Sequence, residues 1–173
     1  TGLWRTGEIH LVRPDIYHEL NEAIHYLRDL FPASLNRLDL HFTEAWRDAG
    51  FPLEKLREAG NIPRLSFGTW IGGDRDGHPL VTPEVTERSL ELLRGAALEL
   101  LHREITNLAS ILTLSTHHNE VPEELEDRIE ELGLSLRDEA IVSELEHKVG
   151  QEPWRHLASL MAARLKSQSS GSV

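Results

Sequence analysis

The chain has 173 residues, 39% of them apolar and 27% charged, the make-up of an ordinary soluble globular protein able to bury a core. Its net charge of −11 excludes a general binder of nucleic acid, whose phosphates require a basic surface, while a small anion could still be held by one or two arginines. With no cysteine, disulfides and thiolate metal sites are ruled out, which fits a reducing cytoplasm.

No apolar run approaches the ~18 residues of a membrane helix, and Thr1-Gly2-Leu3-Trp4-Arg5 carries no signal-peptide pattern. A start without Met suggests a piece of a longer chain. Helical periodicity dominates and no internal repeat is present. Ile16, Leu20, Ile24 and Leu27 fall at helical spacing after Pro14, predicting an amphipathic helix to about Leu30. Pro32 interrupts it and opens a second helix to about Ala49. Gly50-Phe-Pro52 and Gly60-Asn-Ile-Pro63 bracket a short third helix.

Arg64 to Trp70 is the one stretch that reads as a strand, with Leu65 and Phe67 on one face. A lone strand cannot pair its own backbone groups, so the rest of a sheet is expected elsewhere. A loop over 71–81 follows, rich in glycine and aspartate. Thr82 is then a good N-cap, with Pro83 at the first helical position and Glu84 suited to the dipole. The helix it opens carries a stripe of Val85, Leu92, Leu93, Ala96, Leu100, Ile105, Leu108 and Leu112. Further helices are predicted from Val121 to Leu132, closed by Gly133, and from Leu136 to Val149, closed by Gly150. A last one runs from Pro153 to about Leu165. The organisation expected is helices over 14–59, a strand at 64–70, the loop at 71–81, helices over 82–165 and a disordered polar tail at 167–173.

The chemistry sits in Trp70-Ile-Gly-Gly-Asp-Arg-Asp-Gly-His-Pro79. Gly72 and Gly73 allow close approach of backbone to a ligand. Arg75 offers a permanent cation with a planar fork of donors for phosphate or carboxylate, and Asp74 and Asp76 can orient it. The plainer alternative is a tight turn in which Asp74 caps amides and Arg75 makes an ordinary ion pair. Other motifs fail on a required residue: Gly77 comes too early for an EF-hand whose last ligand would be Val85, and no Gly-Lys-Ser/Thr phosphate loop exists.

The string Phe67 to Pro79, continued by Val81-Thr-Pro-Glu-Val-Thr86, closely resembles the signature S-W-M/I-G-G-D-R-D-G-N-P…V-T-P-E-V-T of phosphoenolpyruvate carboxylases. Looser similarities lie at Leu3 to Pro14, at Phe31 to Asp39 and at Glu152 to Leu165, so residues 1–166 resemble part of that enzyme. The resemblance implies a mainly α segment with about one strand, belonging to a TIM-type α/β barrel with extra helices. It implies a cytoplasmic homotetramer that uses Mg²⁺ or Mn²⁺ to carboxylate phosphoenolpyruvate with bicarbonate, giving oxaloacetate and phosphate. Trp70, Gly72, Gly73, Asp74, Arg75, Asp76 and Gly77 would bind substrate or form the loop, with Trp70 walling the pocket for the methylene group and Arg75 facing the anion.

This sequence departs from the pattern at Gly7, His10, Arg28 and His78. The family's catalytic T-A-H-P-T-E and H-G-R-G-G segments do not occur in it, so no complete catalytic set and no metal ligands are expected, and the chain alone should be inactive. The alternative is a helical binding or regulatory module that keeps the anion-binding loop. The ten histidines show no metal-binding pattern and read as exposed residues on an acidic surface; His18 and His25 share a helix face with Glu22 between them. The acidic run from Glu120 to Glu131 reads as a solvated helix face, and Trp4, Trp46 and Trp154 as helix anchors.

Overall fold

A computed structural model describes residues 15–58, 64–76, 79–117, 120–136 and 138–170. The sequence features placed at Leu3 to Pro14, Gly60 to Pro63, Gly77, His78 and 171–173 lie outside them. Seven α-helices are present among the described residues: α1 (Ile16–His25), α2 (Phe31–Asp48), α3 (Leu53–Arg57), α4 (Pro83–Ile111), α5 (Glu123–Ser135), α6 (Glu139–Val149) and α7 (Pro153–Ser170). They fall in two units, Thr1–Leu93 and Arg94–Val173, with the boundary inside α4.

In the first unit Asp15 starts α1 by accepting a hydrogen bond from the His18 amide at 2.7 Å. Its apolar stripe puts Leu20, at 0% exposure, and Ile24 in the core. Pro32 does not break the chain into two helices as the sequence suggests. A π-helical turn, Tyr26–Leu30, joins α1 to α2, and the Phe31 amide reaches back to the Tyr26 carbonyl. Widening this turn by one residue accommodates a proline that has no N–H to give and lands it in the first turn of α2.

α2 ends in a glycine cap. Gly50 takes φ 79°, its amide donates to the Arg47 carbonyl at 2.9 Å and the Phe51 amide to the Trp46 carbonyl at 3.2 Å. Trp46 stacks on Phe51 with ring centres 4.8 Å apart and donates its indole N–H to the Pro52 carbonyl at 3.1 Å, which anchors the turn into α3.

The strand expected at 64–70 is not formed: among the described residues there is no strand at all. Leu65, Ser66 and Phe67 are all exposed, so the alternation in the sequence is not turned into a buried face, and the segment forms no ladder among the described residues. What holds it is aromatic contact, with Phe67 lying 4.3 Å from Phe31 of α2 between ring centres. The protein is therefore mainly helical.

In the second unit α7 packs on both α5 and α6. Leu160, 1% exposed, and the small residues Ala158 and Ala162 let the helices approach closely. Two boundaries differ from the sequence pattern. α5 runs through Gly133 to Ser135, and Gly133 lies beside α6, where an added Cβ would stand in ordinary van der Waals contact, 3.6 Å from Val142 Cγ1. Leu136 precedes α6, which starts at Asp138, whose carboxylate accepts from the Ile141 amide at 3.2 Å.

α7 also continues past Leu165, so residues 167–170 are helical rather than a disordered tail. Ser167 and Ser169 turn their hydroxyls onto the carbonyls of Arg164 and Lys166, each at 2.8 Å, and so do not pull the chain out of the helix. Along α5 the acidic run is exposed while Leu125 and Ile129 face inward. No helix among the described residues is long and apolar enough to cross a membrane.

Leu160→Ala should cost about 3 kcal/mol, the usual range for emptying a fully buried leucine site. Urea denaturation followed by helical circular dichroism measures it, and a loss below about 1 kcal/mol would show that α7 does not carry the packing of its unit.

Candidate functional site

The loop from Trp70 to Asp76 is built by backbone hydrogen bonds before any side chain acts. The Trp70 carbonyl accepts from the amides of Gly73 and Asp74, both at 3.0 Å, closing a tight turn. Gly72, at the centre of that turn, has φ 80°, a conformation L side chains rarely adopt. It is also buried against α4. A Cβ at Gly72 would collide with the Oγ and Cβ of Ser89, with Ile16 of α1 next nearest at 3.9 Å. Ser89 is 2% exposed and donates its hydroxyl back to the Val85 carbonyl at 2.7 Å, leaving a flat, satisfied seat for the glycine.

The rest of the loop follows from that seat. The Ile71 amide donates to Thr69 Oγ1 at 3.2 Å, and Asp74 Oδ1 accepts from the Asp76 amide at 3.0 Å, an Asx turn. Asp74 is thus occupied with the backbone, and among the described residues no ion pair joins Arg75 to Asp74 or Asp76. Gly73 is not in the left-handed region, and an added Cβ there would meet only the Trp70 carbonyl at 3.7 Å. Trp70 itself stands out from the turn with 80% of its surface exposed, and Arg75 is exposed as well. Gly77, the last of the loop residues singled out in the sequence, is outside the described residues.

Beyond the loop, Thr82 caps α4. Its Oγ1 accepts from the Val85 amide at 3.4 Å and its carbonyl from the Thr86 amide at 3.0 Å. The Thr82 hydroxyl and the backbone N–H of Glu84, with a smaller contribution from the charge on Arg75, hold the Glu84 carboxyl below its usual range. Glu84 is therefore ionised at neutral pH and adds a negative charge that Arg75 feels.

Two residues of consequence had no local signal in the sequence. Ser89 lies one helical turn past Val85, at a spacing that any surface serine could share. His156 breaks the expectation of exposed histidines: it is 3% exposed in the first turn of α7. Its Nδ1 is 3.3 Å from Glu146 Oε2, and its Nε2 is sealed from solvent with no partner among the described residues. Burial pushes its pKa below the ordinary imidazole value, against the opposing pull of Glu146. His18 and His25 do behave as expected, on an exposed face with Glu22 and Asp29 at 3.4 and 3.1 Å. The described residues hold no group of three or more potential metal ligands.

The family model for phosphoenolpyruvate carboxylase matches residues 1–172. The chain is 34% identical over 167 residues to the phosphoenolpyruvate carboxylase of Synechocystis sp., a match that covers 95% of this chain and 15% of that protein. It is 32% identical over 168 residues to the corresponding protein of Nostoc sp., again 95% of this chain and 15% of the relative. With the Prochlorococcus marinus subsp. pastoris protein it shares 33% identity over 131 residues, 73% of this chain and 12% of the relative. The chain thus spans about 15% of the length of the first two curated relatives. No solved structure matches it.

Gly72→Ala should destabilise the first unit by about 2 kcal/mol or more, since the new methyl meets both an unfavourable φ and the Ser89 side chain. Gly73→Ala should be close to neutral. Thermal melts of the two variants test the contrast, and equal melting temperatures would mean that Gly72 does not fix the loop.

Proposed function

This chain belongs to the phosphoenolpyruvate carboxylase family, and from that premise we propose that it supplies one wall and one cation of a site where bicarbonate carboxylates phosphoenolpyruvate. The products are oxaloacetate and phosphate. The observation that carries this reading is a tryptophan held 80% exposed on a turn that is itself locked to α4 through Gly72 and Ser89. A large aromatic so placed has no role in the core and every property needed to face an apolar methylene group.

Arg75 lies five residues along the same turn, exposed, with a guanidinium suited to a phosphate or carboxylate. The reaction gathers negative charge on phosphate and enolate oxygens, and a fixed cation beside them lowers the barrier. Gly72 and Gly73 shape the turn, and Asp74 stiffens it by accepting from the Asp76 amide. The remaining catalytic groups belong to other parts of the enzyme, because the T-A-H-P-T-E and H-G-R-G-G segments are not in this sequence.

Mg²⁺ or Mn²⁺ would stabilise the enolate in the whole enzyme. The described residues do not fit such an ion, having no cluster of three ligands, so no step performed by this chain runs through it. In the same reading these helices lie against a (β/α)₈ barrel, and the unpaired backbone at 64–70 is open to a neighbouring strand from elsewhere in the polypeptide. The assembly would be a cytoplasmic homotetramer. The exposure of Leu90, Leu101, Leu108 and Ile111 on α4 supports a larger body of this kind.

The purified chain should yield no oxaloacetate above a no-protein control in a coupled malate dehydrogenase assay. Within the whole enzyme, Arg75→Ala should lower kcat/KM by about 100-fold or more, as loss of one charge-stabilising donor does elsewhere. Wild-type rates in that variant would remove Arg75 from the site. Millimolar binding of phosphoenolpyruvate by the isolated chain, abolished by the same substitution, would show that the loop holds the anion without the rest of the enzyme.

A further inference from the structure

Among the described residues His156 is the only titratable side chain buried in the protein, and its surroundings give it two unequal nitrogens. Glu146 Oε2 on α6, 3.3 Å from Nδ1, can only accept, which favours the neutral tautomer with its proton on Nδ1. That leaves Nε2 as a bare lone pair, closed to solvent and without a partner. A second proton would have to go there and would find no acceptor.

A cleft of about 370 Å³ borders the ring, walled by Leu134, Leu136, Val142 and Leu160 among others. The charged groups facing it are Glu130 from α5 and Glu139 and Glu146 from α6. Of these only Glu146 comes within ion-pair distance of the ring. On α7 itself Arg155 pairs with Glu152 at 2.9 Å. Gly150 lets the Glu146 side chain fold back toward α7, since a Cβ at that glycine would stand 2.5 Å from the Glu146 carbonyl oxygen and 2.8 Å from its Oε1.

We propose that α5, α6 and α7 form an acid-opened latch, in which protonation of His156 frees the start of α7 from α6 and widens the cleft between the three helices. The cleft already borders the ring, and His156 is the one titratable side chain buried among the described residues. Burial disfavours the imidazolium in the closed cluster, whereas an opened cluster returns the ring to water and to its ordinary value. The closed form therefore binds fewer protons. Its advantage is complete above the ordinary imidazole range and declines as pH falls, by up to about tenfold in the closed-to-open ratio per pH unit, until the depressed value of the closed form is reached. This device is independent of the carboxylase reading, because it lies in the second unit and uses none of the loop residues.

The test is a pH titration of the whole ¹⁵N-labelled chain by NMR, reading the imidazole nitrogens together with the amides of Val142, Glu146 and Leu160. The expected result is an Nδ1-protonated His156 at about pH 7.5 that titrates below the ordinary imidazole value, with those three amide signals moving along the same curve. His156→Leu should abolish the amide shifts. If that variant does not fold, the wild-type titration decides alone. An Nε2-protonated ring, titration of His156 at the ordinary imidazole value without movement of the amides, or amide shifts that persist in His156→Leu would each overturn the latch.

Discussion

The contact between Gly72 and Ser89 is the constraint on which the candidate site depends. A turn closed on the Trp70 carbonyl could pivot freely on its two ends if nothing held its middle. Gly72 presses its α-carbon onto α4 where no side chain would fit, and it can do so only with positive φ. The direction of Trp70 on one side and Arg75 on the other then follows from the backbone. Ser89 contributes by being small and by spending its hydroxyl on its own helix, so that the seat is flat and has no unpaired donor.

Once the turn is fixed to α4, the amino terminus of that helix becomes part of the electrostatics of the loop. Thr82 and the Glu84 amide hold a carboxylate there, and that carboxylate feels Arg75. The guanidinium is thereby offset without being clamped, since no aspartate of its own loop makes an ion pair with it. In a protein of net charge −11, Arg75 is a local cation set among the carboxylates of Asp74, Asp76 and Glu84.

Sequence reading succeeded where local rules decide. The loop signature led to the family, the Leu20 and Ile24 stripe to the core of the first unit, and Thr82-Pro83 to the start of α4. It failed where a second, distant segment decides. Leu65 and Phe67 alternate as in a strand, yet a strand exists only with a partner, and the family relatives are far longer than this chain. Gly133 looks like a helix stop, yet α5 carries on through it to Ser135 with Val142 of α6 at ordinary contact distance. Ser89 and His156 acquire their roles from Gly72, seventeen positions earlier, and Glu146, ten positions earlier, and no periodicity encodes such pairings.

The same distinction separates the two units by the kind of order each achieves. In the second, α7 finds α5 and α6 within its own sequence and buries Leu160 and His156 completely enough to perturb an imidazole. In the first, the residues next to the loop are held by single contacts, Phe67 on Phe31 and Gly72 on Ser89, while Leu65, Phe67 and Trp70 keep much of their surface exposed. Exposed apolar area of that size is costly in water and is retained where another surface is meant to cover it. A loop carried by the less consolidated unit keeps Trp70 and Arg75 uncovered, the condition under which side chains can meet groups carried on another segment.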